Sequence, residues 1–318
     1  MSTAPGLIGD IGGTNTRLAL VEADGALARV RTLATEDHAS LSEAIDAYLA
    51  VEAPPVKPAR AVLAVAAPIT GDRVTLTNHP WTFSIDAMRQ HFGFDRLEVI
   101  NDFTANALAV PHLTDGDRVQ VGGGAPVTGG AVGVLGPGSG LGVSILVPGE
   151  AGAVTLQGEG GHVTMAAADD REAAVLGLMR ARFDHVSAER VLSGPGLINL
   201  YNALCELSGR PAAPLTAAQI TEPRIEDEEP LAREATAMFC AMLGTVAGNL
   251  ALTIGARGGI YIAGGIVPKL GEGFAQSAFR ARFEAKGRFH GYMAAIPTYV
   301  ITHHEPALLG AAKLLQTL

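Results

Sequence analysis

Two short glycine-rich stretches carry a hydroxyl residue near their centres: Gly12-Gly13-Thr14-Asn15 and Gly136-Pro137-Gly138-Ser139-Gly140. Each lies between runs that read as strands, residues 7–11 and 18–21 for the first, residues 132–135 and 143–147 for the second. A hairpin tip of this kind can hold phosphate. Its consecutive N–H groups form a concave nest, and glycine puts no Cβ in the way of a phosphate oxygen. Ordinary hairpin turns share that composition, so one such stretch decides little. Two of them, the first preceded by Asp10, point to a nucleotide phosphate. The run Gly136-Pro-Gly-Ser-Gly-Leu-Gly142 also imitates a dinucleotide fingerprint, but that motif opens a helix, and here a β-branched strand follows. No Gly-Lys-Ser/Thr is present, so there is no P-loop.

Phosphoryl transfer needs positioning, charge stabilisation and a base for the attacking hydroxyl. Asp102 is the candidate base. It follows a strand and precedes a helix, and the carboxyl ends of strands are where α/β sites lie. The competing reading is a helix N-cap, a favoured place for Asp. Asp10 is suited to orienting water on Mg²⁺, which keeps most of its waters and is held by few carboxylates; alternatively it bonds the turn backbone. Glu159 and His162 have a Glu-x-x-His spacing, but Gly160-Gly161 between them argues against a helix, and the di-iron motif needs two copies. A carboxylate and a histidine on a glycine-rich loop suit sugar hydroxyls better. Arg17 either neutralises phosphate or lies on a strand surface. His303-His304-Glu305 reads as a solvated lead-in to the last helix.

Composition narrows the class. The 318 residues suggest two domains; 48% are hydrophobic and 17% charged, which excludes a disordered chain. A net charge of −9 makes nucleic acid or an anionic membrane a poor partner. Cys205 and Cys240 cannot build a disulfide framework or a four-ligand zinc site, and read as buried thiols. No secretory signal opens the chain, and the uncharged run 119–149 is too rich in Gly and Pro for a membrane helix. The expectation is a cytoplasmic protein.

Strands at 61–66 and 97–100, followed by helices such as 104–110, make an α/β architecture. A helix is expected over 41–49, with Ser40 as N-cap and Glu43 completing a capping box. Helices follow at 172–183, at 187–207 with a break at Gly194-Pro195-Gly196, at 231–254 and at 306–318; residues 260–263 form a strand ending in Gly264-Gly265. A shift of 125 residues lays Gly13 on Gly138, Thr14 on Ser139, Leu18 on Val143 and Leu20 on Ile145. That suggests an internal repeat and two related α/β domains.

The motifs Gly9-Asp-Ile-Gly-Gly-Thr-Asn15, Asn101-Asp-Phe-Thr104, Gly136-Pro-Gly-Ser-Gly-Leu-Gly142, Gly158-Glu-Gly-Gly-His162, Glu189-Arg-Val-Leu-Ser-Gly-Pro-Gly196 and Ala263-Gly-Gly-Ile-Val-Pro268, taken in this order, resemble the bacterial-type glucokinase family of the actin, Hsp70 and hexokinase superfamily. The related repressor and kinase branch usually carries a Cys-rich zinc motif after the Glu-x-Gly-His segment; it is missing here, which favours the zinc-free branch. The resemblance implies a two-domain actin-like ATPase (ribonuclease H-like) fold, its duplicated α/β domains flanking a cleft: a small domain of 1–110 plus 304–318 and a large one of 111–303. It implies ATP-dependent phosphorylation of the glucose 6-hydroxyl, the first step of glycolysis, with ATP and Mg²⁺ as cofactors. It places Asp102 as base, and Asn101, Asp102, Glu159, His162 and Glu189 on glucose. Asp10, Gly12, Gly13, Thr14, Asn15, Gly138, Ser139 and Gly140 would serve the phosphates, and Gly264 and Gly265 the adenosine side. A homodimer is implied by the resemblance alone. The runner-up is a kinase for another hexose, such as fructose or an N-acetylated hexosamine.

Overall fold

The computed structural model describes residues 5–150 and 152–318. The chain divides into two compact units, one running to Leu113 and taking back His303–Leu318, the other comprising Thr114–Thr302. The first contains β1 (Gly6–Ile11), β2 (Asn15–Val21), β3 (Leu27–Ala34), β4 (Arg60–Val65), the small pair β5 (Arg73–Thr75) and β6 (Thr82–Ser84), and β7 (Arg96–Asn101). The second contains β8 (Arg118–Gln120), β9 (Val132–Pro137), β10 (Leu141–Val147), β11 (Val154–Gly158), β12 (Gly259–Ile262) and β13 (Thr298–Ile301).

The main sheets run β3-β2-β1-β4-β7 and β11-β10-β9-β12-β13-β8. In each, an antiparallel three-strand meander is extended by two parallel strands, and the second sheet adds β8 antiparallel at its edge. The 125-residue shift therefore relates two copies of one topology. Both units are α/β, as the two-domain actin-like fold requires.

Alternation along β1 explains where the chemistry lies. Leu7 and Ile11 pack with Leu41, Ile45 and Tyr48 of the helix Leu41–Glu52. Ile8 points the other way, onto Leu308, Ala311 and Leu315 of the helix Pro306–Leu315. Successive side chains on a strand face opposite ways, so Asp10 shares the face of Ile8. The same face of the sheet is covered at β4 and β7 by the helix Asp102–Ala109, which packs against Pro306–Leu315.

The second unit is built on the helix Pro230–Ile254, whose Phe239 and Leu243 join Leu200, Tyr201, Phe279 and Phe283 in the core. Among the described residues it is the one helix long and apolar enough to cross a membrane, and most of its apolar stretch is buried inside this unit. Cys205 and Cys240 are buried free thiols.

Three local expectations need correction. Gly194-Pro195-Gly196 does not break a helix; it starts the helix Gly194–Leu207, with Ser193 accepting the Gly196 N–H. Proline suits a first turn because its missing N–H had no partner there anyway. Glu189 lies in the separate short 3-10 turn Ala188–Arg190. Ser40 does cap Leu41–Glu52 by accepting the Glu43 N–H, but the Glu43 carboxylate takes the N–H of Ala39, one residue before the cap.

Candidate active site

In the first unit the carboxyl ends of β1, β4 and β7 lie side by side, with Asp10 opposite Ala64 and Ala64 opposite Ile100. Asn101 ends β7 and caps the helix Asp102–Ala109, its Oδ1 accepting the N–H groups of Phe103 at 2.9 Å and Thr104 at 3.3 Å. Its Nδ2 donates to the Ala67 carbonyl at 3.3 Å. The capping role that sequence left open for Asp102 thus belongs to Asn101. Asp102 is the first helical residue, and its Oδ1 accepts the Phe103 N–H at 2.9 Å.

Electrostatics sets Asp102 apart. Burial, and after it the negative charge of Asp10, push its carboxyl up to about 7, outweighing the N–H groups that favour ionisation. A carboxyl poised there suits a general base near neutral pH. Burial also raises Asp10, while Arg17, whose Nη1 donates to Asp10 Oδ2 at 3.2 Å, pulls it down. Arg17 is therefore committed to Asp10. The charge of Glu305 raises Asp10 further. Here the solvated reading of His303-His304-Glu305 is corrected: the His304 side chain is 90% exposed, but that of Glu305 is only 19% exposed. Glu305 leads into the helix on the Asp10 face, a placement its neighbours in sequence do not reveal.

The turn between β1 and β2 closes with the Gly12 N–H donating to the Asn15 carbonyl at 2.9 Å. The N–H groups of Gly13 and Thr14 have no acceptor among the described residues, as a phosphate nest requires. The second tip differs by one bond. Its counterpart of Gly12 is Pro137, which has no N–H, so Gly138 makes the closing bond to the Gly140 carbonyl at 2.8 Å. The N–H groups of Ser139 and Gly140 are left without acceptors among the described residues. Gly194, at the start of its helix, donates to the Gly138 carbonyl at 2.8 Å. Gly264, at φ +83°, lies against the same hairpin, with room for a Cβ blocked by the Pro137 carbonyl; Gly265 beside it is open.

Glu159 precedes the single 3-10 turn Gly160–His162 and His162 ends it, so no longer helix forms across Gly160-Gly161. Both side chains are exposed. A short antiparallel contact carries their loop to Glu189: the Met165 N–H donates to Val186 at 3.0 Å and the Ala188 N–H to Val163 at 2.8 Å. Glu189 Oε2 accepts the N–H of Leu141, the residue after the second tip, at 2.8 Å. The structure thus gathers Asp10, Gly12, Gly13, Thr14, Asn15, Asn101 and Asp102 in one unit, and Gly138, Ser139, Gly140, Glu159, His162, Glu189, Gly264 and Gly265 in the other. Among the described residues no group of three or more His, Cys, Asp and Glu could hold a metal. Besides Glu305, sequence reasoning missed Thr35, which grips the first tip from behind; a lone threonine after a strand gives no signal.

Known proteins resemble this chain along its length. A family model described as Glucokinase matches residues 7–318. A protein of Aromatoleum aromaticum named glucokinase is 54% identical over 314 residues, 98% of this chain and 95% of that one. A glucokinase crystal structure from an Antarctic psychrotroph has a TM-score of 0.89 at 39% identity, covering 100% of both chains. A glucokinase from Balamuthia mandrillaris in complex with glucose has a TM-score of 0.83 at 22% identity, covering 98% of this chain and 94% of that one, and shares the fold.

Proposed function

The chain belongs to the glucokinase family, and we infer that it transfers the γ-phosphoryl group of ATP to the 6-hydroxyl of glucose, giving glucose 6-phosphate and ADP. The observation that carries the mechanism is the pairing, in one unit, of the Asp102 carboxyl with the nearby Asp10 and a turn whose Gly13 and Thr14 N–H groups have no protein acceptor among the described residues.

On this reading the Asp102 carboxylate takes the proton of the 6-hydroxyl as its oxygen attacks phosphorus. Asn101 contributes a remaining amide hydrogen to the sugar while its carbonyl oxygen keeps the helix start in place. Glu159, His162 and Glu189 accept or donate to the other hydroxyls; the exposed Glu159 and His162 side chains have no competing protein partner among the described residues. The Gly12–Asn15 and Gly138–Gly140 tips receive phosphate oxygens, and Gly264-Gly265 lies on the adenosine side.

The residues fit Mg²⁺. A hard cation that keeps its waters needs few protein carboxylates, and Asp10 is a single half-buried one, 22% exposed, beside the phosphate turn. Asp10 would hold the ion through water, and the ion would supply charge to the phosphates. A closed protein cage is not what these residues offer.

The wider reading, an entry step of glycolysis in a cytoplasmic homodimer without nucleic-acid or membrane partners, is supported by the family resemblance and the net charge of −9. Light scattering of the purified protein would measure the dimer. A coupled assay over a panel of hexoses and phosphoryl donors tests the function. Glucose with ATP should give the highest kcat/KM. Preference for fructose or an N-acetylated hexosamine would favour the other hexose-kinase reading, and no turnover of any hexose would sink both.

A further inference from the structure

The first phosphate turn is held by one residue on each side of its tip. Thr35, fully buried directly after β3, donates its hydroxyl to the Gly12 carbonyl at 3.0 Å. Its backbone N–H donates to the Thr14 carbonyl at 2.9 Å. The Thr16 hydroxyl, also fully buried, lies 3.0 Å from that of Thr35. A hydroxyl has one proton, and the Thr35 proton goes to Gly12, so Thr16 is the donor to Thr35. The result is a directed chain, Thr16 to Thr35 to Gly12.

That chain sets the direction of an N–H group. A carbonyl and the next residue's N–H share one planar peptide and point opposite ways. With the Gly12 carbonyl drawn inward to Thr35, the Gly13 N–H is turned outward, and it has no protein acceptor among the described residues. The opposite side of Gly13 is blocked as well: a Cβ there would lie 3.0 Å from the Asn78 carbonyl oxygen. At the second tip the Gly138 carbonyl is held by a backbone group, the N–H of Gly194, and among the described residues no side-chain hydroxyl donates to it.

We propose that Thr35 is a positioning residue for nucleotide phosphate, its hydroxyl pre-setting the Gly13 N–H toward the phosphate oxygen. A turn set in advance spares the ordering cost that a loose one pays on binding. The proposal rests on the kinase reading above.

Thr35→Val keeps the branched shape and removes the hydroxyl; Thr35→Ser keeps the hydroxyl. Calorimetry would measure AMPPNP binding at saturating glucose, and glucose binding alone, beside steady-state kinetics. Losing one hydrogen bond to a part-buried carbonyl should weaken AMPPNP and raise KM for ATP about 10-fold in T35V, with glucose binding within about 2-fold of wild type. T35S should recover most of the loss. Should T35V fail to fold, Thr35→Cys, a weak donor of similar size, should fall between wild type and that 10-fold loss. Nucleotide constants unchanged in T35V, equal loss of sugar and nucleotide binding, or T35S no better than T35V would each overturn the proposal. Wild-type protein that phosphorylates no glucose would instead overturn the kinase reading, so the two failures are separable.

Discussion

Gly140 and Glu189 lie so close that any side chain at position 140 would have to push the Glu189 carboxylate aside. A Cβ on Gly140 would lie 2.5 Å from Glu189 Oε2, the same oxygen that accepts the Leu141 N–H at 2.8 Å. The carboxylate assigned to glucose is therefore placed by the backbone of the tip assigned to phosphate.

Substitution at that tip should separate two kinds of glycine. Gly140→Ala must displace Glu189 and should weaken glucose as well as ATP, each by about 10-fold or more, the scale of a lost charge-assisted hydrogen bond. A Cβ at Gly138 meets nothing within 4 Å. Gly138→Ala should stay folded, bind glucose normally and lose affinity for ATP only. Steady-state KM values for both substrates, with a thermal melt, check this; equal sugar loss in both variants would break the link.

Asp102→Asn should leave glucose binding nearly intact and abolish turnover. The amide still hydrogen-bonds but takes no proton, and loss of a general base costs about 10²–10⁴ in rate. A variant retaining more than roughly a tenth of wild-type kcat would remove Asp102 from that role.

The raised Asp102 carboxyl makes a signed prediction for pH. Its folded value of about 7 exceeds the ordinary 3.8, so the folded state binds the proton more tightly. The stability it contributes is full below about pH 4 and is lost as pH rises through about 7. Asp102→Asn should thus be more stable than wild type at pH 8, by on the order of 2–4 kcal/mol, with the gap closing toward pH 4. In wild type, kcat/KM should fall about tenfold per unit below pH 7 as the base is protonated. Urea titrations of both proteins at several pH values, and a pH–rate profile, provide the measurements.

Asn101→Ala should lose twice. The Asp102–Ala109 helix loses a cap serving two N–H groups, costing about 0.5–2 kcal/mol. The start of that helix also carries Asp102, so turnover should fall with stability. Asn101→Asp keeps the acceptor and should recover most of the stability without the amide donor.

A chelator should leave the melting temperature of the unliganded protein unchanged, since Cys205 and Cys240 are buried singly and no metal-binding group of three occurs among the described residues. One tightly bound zinc per chain by elemental analysis would contradict the zinc-free assignment.

Much of this protein was legible along the chain because its signals are local. The glycine tips, the strand-to-helix step at Asn101-Asp102 and the buried runs of β1, β4 and β9 each lie within a few residues, and period-2 alternation or turn chemistry acts at that range. The 125-residue repeat was legible for the same reason, as two copies of one short pattern. Three things needed the tertiary structure. Which of two adjacent polar residues caps the helix depended on the approach of Ala67 to Asn101. The coupling of Asp102, Asp10 and Glu305 depended on two helices, far apart in sequence, covering one face of the same sheet. The hold of Thr35 on Gly12, and of Glu189 on Leu141, spans 23 and 48 residues. A hydrogen bond of about 3 Å leaves no trace in sequence when the loop it closes can vary so freely in length. Residue type announced the chemistry, and long-range packing alone decided which groups would share charge and which would hold the turns still.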